Sequence, residues 1–375
     1  MRVMLWGTYD LGKPRVRIMR ACLRRIDPEL QEIHAPVWEG VEDKSGLGGF
    51  GRMAGIGQRW IAAYPRLIWR FLRAEKPDVV VVGYLGLLDV LVLAIFTKIR
   101  GIPIVWDAFL SLYNTYVEDR RLASTGSLRA RLLRLLERTA GRLADRVVID
   151  TAEHGKLLAD LHGIPASKIG VVLVGAEENA FTMISVSPGH AGGPLRVLFY
   201  GQFIPLHGID TIVEAAVSPR SSQYRWTIIG RGQEAERIDH LLESANCDHI
   251  ERISWVDYGQ LRDQIARADI CLGIFGKGKK AASVIPNKVF QALAAGKPLI
   301  TADTPAMREL LADGALPGLY LVPPNDPDGL IDALERFSVE RTQLPAQLHE
   351  ELVSRFSLVA LTDQWRVVLE KVCKT

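Results

Sequence analysis

Short apolar runs alternate with helix-period stretches along nearly the whole chain, and this alternation constrains the fold more than any single motif. A strand buried on both faces of a parallel sheet reads as a continuous aliphatic and β-branched run, and a helical crossover must carry the chain to the next strand. In the first half such runs lie at Val3–Trp6, Val79–Val82, Ile104–Trp106, Val147–Ile149 and Val171–Val174. In the second half they lie at Leu195–Tyr200, Trp226–Ile229, Ile250–Trp255, Ile270–Ile274, Leu299–Ala302 and Leu319–Val322. Between the two sets, Ser187-Pro-Gly-His-Ala-Gly-Gly-Pro194 has the small, polar, breaker-rich composition of a linker. The expectation is an α/β chain with two Rossmann-like domains facing a cleft. Residues 1–185 would form one domain, residues 186–355 the other, and 356–375 a C-terminal helix packing back toward the first. Ligands of such sheets bind beyond the carboxyl ends of the strands, so the chemistry belongs in strand-to-helix loops.

Composition removes several classes. With 48% hydrophobic and 24% charged residues the chain is neither disordered nor fibrous, and a net charge of +3 is too small for a nucleic-acid binder. The charge is uneven, however: residues 1–185 carry 26 basic and 20 acidic side chains, and residues 186–375 carry 20 and 23. The first half is therefore the one suited to an anionic surface. Cys22, Cys247, Cys271 and Cys373 make no metal-binding spacing and read as reduced thiols. The N-terminus runs straight into a strand with no signal-peptide pattern, so a cytoplasmic protein is expected. Val79–Phe96 is 18 residues long with one charge, Asp89, but Gly83 and Gly86 punctuate it as a strand followed by a helix.

Several motifs lack the context their chemistry needs. Gly46-Leu-Gly-Gly-Phe-Gly51 has the dinucleotide spacing but no preceding strand, and reads as a loop. Gly273-Ile-Phe-Gly-Lys-Gly-Lys-Lys280 has Walker A spacing, with Lys280 where a Ser or Thr should hold magnesium. Asp326-Pro-Asp328, the one Asp-x-Asp pair, is explained by helix capping, so no metal site is expected.

Three stretches carry more information: Tyr200-Gly-Gln-Phe-Ile-Pro-Leu-His-Gly208, Ile229-Gly-Arg-Gly-Gln233, and Ile285-Pro-Asn-Lys-Val-Phe-Gln291 leading to Gly296-Lys-Pro298. In that order and spacing they resemble the donor domain of retaining glycosyltransferases of family four, which have the GT-B fold. Trp255–Leu261, Ala268–Cys271 and Phe356-Ser-Leu358 extend the likeness, as do Gly7–Asp10, Pro14-Arg15, Leu112-Tyr113, Asp119-Arg120, Ala144-Asp145 and Asp150–His154 in the first half. The resemblance implies sugar transfer from a nucleotide-sugar co-substrate to a glycan or lipid-linked acceptor, with retention, without metal and without a cofactor. It places the donor on Gly201, Gln202, Gly208, Gly230, Arg231, Ser283, Val284, Ile285, Pro286, Asn287 and Gln291, with His207 and Lys288 at the leaving diphosphate.

The chemistry fits these positions. A departing diphosphate gains negative charge, which backbone N–H groups at helix starts near Gly208 and Pro286 can meet. Lys288 would sit in a first helical turn, unfavourable for a cation unless an anion is near. The sequence departs from the family pattern at Gln202, where a basic residue is usual, at His207 in place of a lysine, and at Ser283 and Gln291 in place of an acidic pair. These departures keep open a weakened relative that binds a glycan, a nucleotide sugar or a partner without turnover; a nucleotide-sugar epimerase of the same architecture also stays open.

On the acceptor side, the resemblance implies a catalytic role for Asp107, which follows a strand and reads equally as a turn or helix-capping residue, and Gly12, Lys13 and Arg15 form a loop suited to a phosphate. Arg59, Arg66, Arg70 and Arg73 share one helical face beside Trp60, Tyr64, Leu67, Ile68, Trp69 and Phe71, a pattern suited to an anionic membrane surface or to an ordinary packed helix that Pro65 starts or kinks. Ser127–Leu143 reads as an amphipathic helix, with Leu128, Leu132, Leu135 and Leu136 recurring at helical spacing as its packing stripe while arginines cover the other, solvated face.

Overall fold

A computed structural model describes residues 1–38, 50–181, 183, 193–311, 314 and 316–373, with the side chains of 50–54 outside the description. Within these residues the chain divides into two compact units, Met1–Leu173 with Leu358–Thr375, and Val174–Ser357. Residues 46–49 of the glycine-rich stretch and 187–192 of the breaker-rich segment lie outside the described residues.

The first unit is built on a parallel sheet of β1 (Val3–Gly7), β2 (Gln31–His34), β3 (Val79–Val82), β4 (Ile104–Asp107), β5 (Arg146–Ile149) and β6 (Ile169–Val171), in the order β2-β1-β3-β4-β5-β6. Every residue of β1, β3 and β4 is buried, as the continuous apolar runs require. The run of connections β2 to β3, β3 to β4 and β4 to β5 moves one way across the sheet. Right-handed crossovers therefore put helices Phe50–Arg73, Leu87–Arg100 and Leu128–Leu143 on one face. Leu67, Phe71, Val90, Leu93 and Ala140 join Val80, Val82, Ile104 and Val147 in one core. The last helix, Leu358–Cys373, packs on the helix Pro14–Ile26 of this unit.

The second unit repeats the plan with β7 (Arg196–Tyr200), β8 (Arg225–Ile229), β9 (Ile250–Ile253), β10 (Ile270–Leu272), β11 (Leu299–Ala302) and β12 (Leu319–Val322), ordered β12-β11-β10-β7-β8-β9. Val197, Phe199, Phe203, Ile212, Trp226, Ile228 and Leu334 form its core.

Two sequence readings need correction. Strand β6 covers 169–171, not Val171–Val174, because the backbone beyond it leaves the ladder: the carbonyls of Val172 and Leu173 accept hydrogen bonds from Arg15. In the helix Leu128–Leu143, Leu128, Leu132 and Leu135 are exposed, and the helix buries Ala130, Glu137, Ala140 and Gly141 instead. A Cβ on Gly141 would lie 2.3 Å from Ile164, so small residues set how closely this helix packs.

Candidate active site

In the second unit, β7 ends at Tyr200 and the chain turns at Gly201 with φ +150°. A Cβ there would sit 2.6 Å from Lys288 Nζ and 3.2 Å from His207 Cε1, so Gly201 is what lets these three residues meet. A Cβ on Gly230 would lie 2.0 Å from the Gly201 carbonyl oxygen, which makes the end of β8 the second close wall. His207 closes the turn Pro205–His207 and its Nδ1 donates to the Gln202 carbonyl, fixing the proton on Nδ1. Gly208 then opens the helix Ile209–Val217.

Lys288 is the chemical centre of this arrangement. It lies in the first turn of the helix Asn287–Ala294, entered from Pro286 in extended backbone with no side-chain cap. Its Nζ is buried with no hydrogen-bond partner and stands 3.8 Å over the Phe199 ring. Burial alone holds its pKa well below the ordinary lysine value. Beside it Asn287 Oδ1 is also buried without a partner. Two unpaired polar atoms in one helical turn are costly in a closed protein, and an anion there would give Lys288 both a partner and a charge.

Gln291 is buried and its Nε2 donates to Tyr258 Oη at 3.4 Å, while Tyr258 donates to Glu177 at 2.6 Å. Neither Tyr258 nor Glu177 stands out from the sequence as a site residue, because only the fold brings them to Gln291. Arg231 stacks on the exposed ring of Trp255 at 4.1 Å. Val284 and Ile285 are packing residues; Val284 joins Ile274 and Ala281 in a small apolar cluster. Ser283 closes the short helix Lys279–Ser283 through the Lys280 carbonyl, so the Walker-like spacing leads into a helix of five residues. Asp326 caps the helix Pro327–Glu340 by accepting from Gly329 N at 2.9 Å.

The first unit corrects two expectations. Asp107 is wholly buried and takes Nη2 of Arg15 at 2.8 Å and Nε at 3.1 Å. Arg15, 2% exposed, also donates to Val172 O and Leu173 O and lies against the Phe109 and Trp365 rings. These two residues are spent on each other and on the backbone at β6, which leaves neither to meet a phosphate or an acceptor. Lys13 occupies the N-cap position of the helix Pro14–Ile26 without a side-chain capping bond, and Gly12 N donates to Asp10 Oδ1 in the turn before it.

The loop after β1 is held from below by a residue read in the sequence only as a lone charge in an apolar run. Asp89 is buried and accepts from Thr8 N at 2.6 Å, from the Thr8 hydroxyl and from Tyr64 Oη at 2.9 Å. Desolvation outweighs these bonds and pushes its carboxyl pKa up to about 6 from an ordinary 3.8. Between those values the unfolded chain binds fewer protons than the folded one, so stability falls as pH rises through the window, by about 3 kcal/mol in all. Asp89→Asn is expected to flatten that fall in urea titrations run across the window. A slope equal to wild type would assign the effect to other groups.

Comparison with known proteins follows the same division. Residues 194–338 match the family model described as Glycosyl transferases group 1, and residues 13–175 match the Glycosyl transferase 4-like domain. The chain is 26% identical over 177 residues to the lipopolysaccharide core biosynthesis glycosyltransferase LpsE of Rhizobium meliloti (strain 1021), covering 46% of this chain and 49% of that one. It is 28% identical over 186 residues to the D-inositol 3-phosphate glycosyltransferase of Nocardia farcinica (strain IFM 10152), covering 46% and 40%. The chain thus spans about half the length, or less, of these curated relatives. Among solved structures, Anabaena HepE in complex with UDP has a TM-score of 0.69 at 13% identity, covering 99% of this chain and 100% of that one. At that identity the likeness is one of fold.

Proposed function

The chain belongs to the glycosyl transferases group 1 family and has the GT-B fold, and from that premise we propose that it transfers a sugar from a nucleotide-sugar donor to a glycan or lipid-linked acceptor, with retention and without a divalent metal. The observation that carries this reading is Lys288: a buried amine without a partner, in a first helical turn, against the Gly201 turn and His207. The donor diphosphate lies there. As the bond to the sugar breaks, the charge gathering on the diphosphate is met by the Lys288 ammonium and by the N-terminal N–H groups of the helices Asn287–Ala294 and Ile209–Val217. The leaving phosphate takes the acceptor's proton on the same face, so no protein nucleophile is required. HepE has been solved with UDP-glucose and LpsE is named for lipopolysaccharide core biosynthesis, which supports a nucleoside diphosphate sugar and a glycan acceptor.

Neutral Gln202 and Gln291 favour a second reading, a donor-binding relative with little or no turnover; an epimerase is a third. Nucleoside diphosphate released only when acceptor is added supports transfer, and binding without release supports the second.

A nucleoside diphosphate is expected to raise the unfolding free energy by about 2.7 kcal/mol at a hundred times its Kd, with chelator present. The check is a thermal or urea titration with and without magnesium. A shift that needs the metal would overturn the metal-free reading.

A further inference from the structure

The helical layer of the first unit turns an unusual surface outward. On the helix Phe50–Arg73 most of the apolar residues expected to contact a membrane are taken up by packing, Trp69 being the exception: Leu67 and Phe71 are in the core, Trp60 donates to Thr8 Oγ1 and Tyr64 to Asp89. A different stripe is left outside. Ile61 is 75% exposed, and Trp69 and Leu72 follow on the same face at helical spacing, with Arg73 stacked on the Trp69 ring at 4.3 Å. The neighbouring helix Leu87–Arg100 exposes Ile95 and, at 79%, Ile99; it is tied to the first by Arg100, which donates to Phe71 O and Ala74 O. The helix Leu128–Leu143, packed beside Leu87–Arg100, exposes Leu128 at 82% with Leu132 and Leu135.

The charge between these apolar residues has one sign. Arg59, Arg66, Arg70 and Arg73 on the first helix, Lys98 on the second, and Arg129, Arg131, Arg134, Arg138 and Arg142 on the third are all exposed. The acidic residues of the described parts of these helices, Asp89 and Glu137, are both buried, Glu137 by accepting from Ser111 Oγ and from Leu112 N and Tyr113 N. A soluble surface ordinarily mixes signs and leaves large apolar residues isolated. Here aliphatic residues and a tryptophan repeat over three adjacent helices whose exposed charges, in their described parts, are all positive.

We propose that this three-helix face docks on an anionic membrane surface, the aliphatic residues and Trp69 entering the headgroup boundary and the arginines meeting lipid phosphates. The single sign of charge chooses this occupant: a second copy of the same face would be repelled, and an anionic leaflet is attracted along its whole width. The inference goes beyond the transfer reaction and stands whether or not the donor site turns over.

The test is sedimentation of the full chain with vesicles of phosphatidylglycerol and phosphatidylcholine, and with phosphatidylcholine alone, at low and high salt. Wild type is expected to sediment with the anionic vesicles, less so at high salt, and to blue-shift its tryptophan emission. Ile99→Ser with Leu132→Ser, and separately Arg66→Gln with Arg138→Gln, should each weaken binding at least tenfold. Nucleoside diphosphate binding and melting temperature should stay as in wild type, since all four residues are exposed. Binding that ignores both double variants, or no binding to anionic vesicles, would overturn the proposal. So would a dimer in sedimentation analysis that Ile99→Ser dissociates.

Discussion

Asp107→Ala is expected to destabilise the protein by about 3–5 kcal/mol, read as a fall in the urea midpoint. The size comes from what is left behind. Arg15 is 2% exposed, its charge has nowhere to reach water, and without Asp107 it keeps only carbonyl acceptors and two aromatic faces. The pair is no simple gain either, because burial pushes the Asp107 carboxyl pKa up even with the guanidinium beside it. A buried pair of this kind can be replaced by apolar residues at far smaller cost than breaking it. Arg15→Met with Asp107→Leu should therefore recover most of the loss. A double variant as unstable as Asp107→Ala would mean that Arg15 matters for its bonds to Val172 and Leu173, not for its charge.

That pair marks where sequence reasoning reaches its limit. The strands were legible because a doubly covered parallel strand has one signature, and Val79–Val82, Leu299–Ala302 and Leu319–Val322 match their runs residue for residue. The edge strand Gln31–His34 was not, since it buries only Ile33 and so leaves no apolar run. The turns at Gly201, Gly208 and Pro286 were legible because glycine and proline mark sharp turns locally. Arg15 and Asp107 are 92 residues apart, and nothing local says that one is the other's partner. Asp89 fails for the same reason: its partners Thr8 and Tyr64 arrive from two other elements. The Leu128–Leu135 stripe misled in another way. Helical spacing reports that residues share a face, and only packing decides whether that face turns inward.

Lys288 offers the second large effect. Lys288→Met should leave the ligand-free protein as stable as wild type or more so, because it removes a buried amine without a partner and keeps the volume over the Phe199 ring. The pH dependence follows from the direction of the shift. With the folded pKa below the unfolded one, the unfolded chain binds the extra proton, so this residue makes stability rise with pH up to the ordinary lysine range, and the methionine variant loses that rise. Binding should move the opposite way. Loss of one charge-assisted contact to the diphosphate should cost about 1.5–3 kcal/mol of affinity. Because burial lowers the pKa of this amine and an anion favours its charged form, wild type should also take up protons on binding at pH values below the ordinary lysine range, seen as a buffer dependence of the calorimetric heat, and the variant none. Lys297→Ala is the control. Its Nζ donates to Ala266 O at 2.8 Å and Ala268 O at 2.9 Å, so that substitution should lower stability and leave affinity nearly unchanged. If Lys288→Met and Lys297→Ala weaken binding equally, or if no proton is taken up, the diphosphate lies elsewhere and the orphaned amine has another purpose.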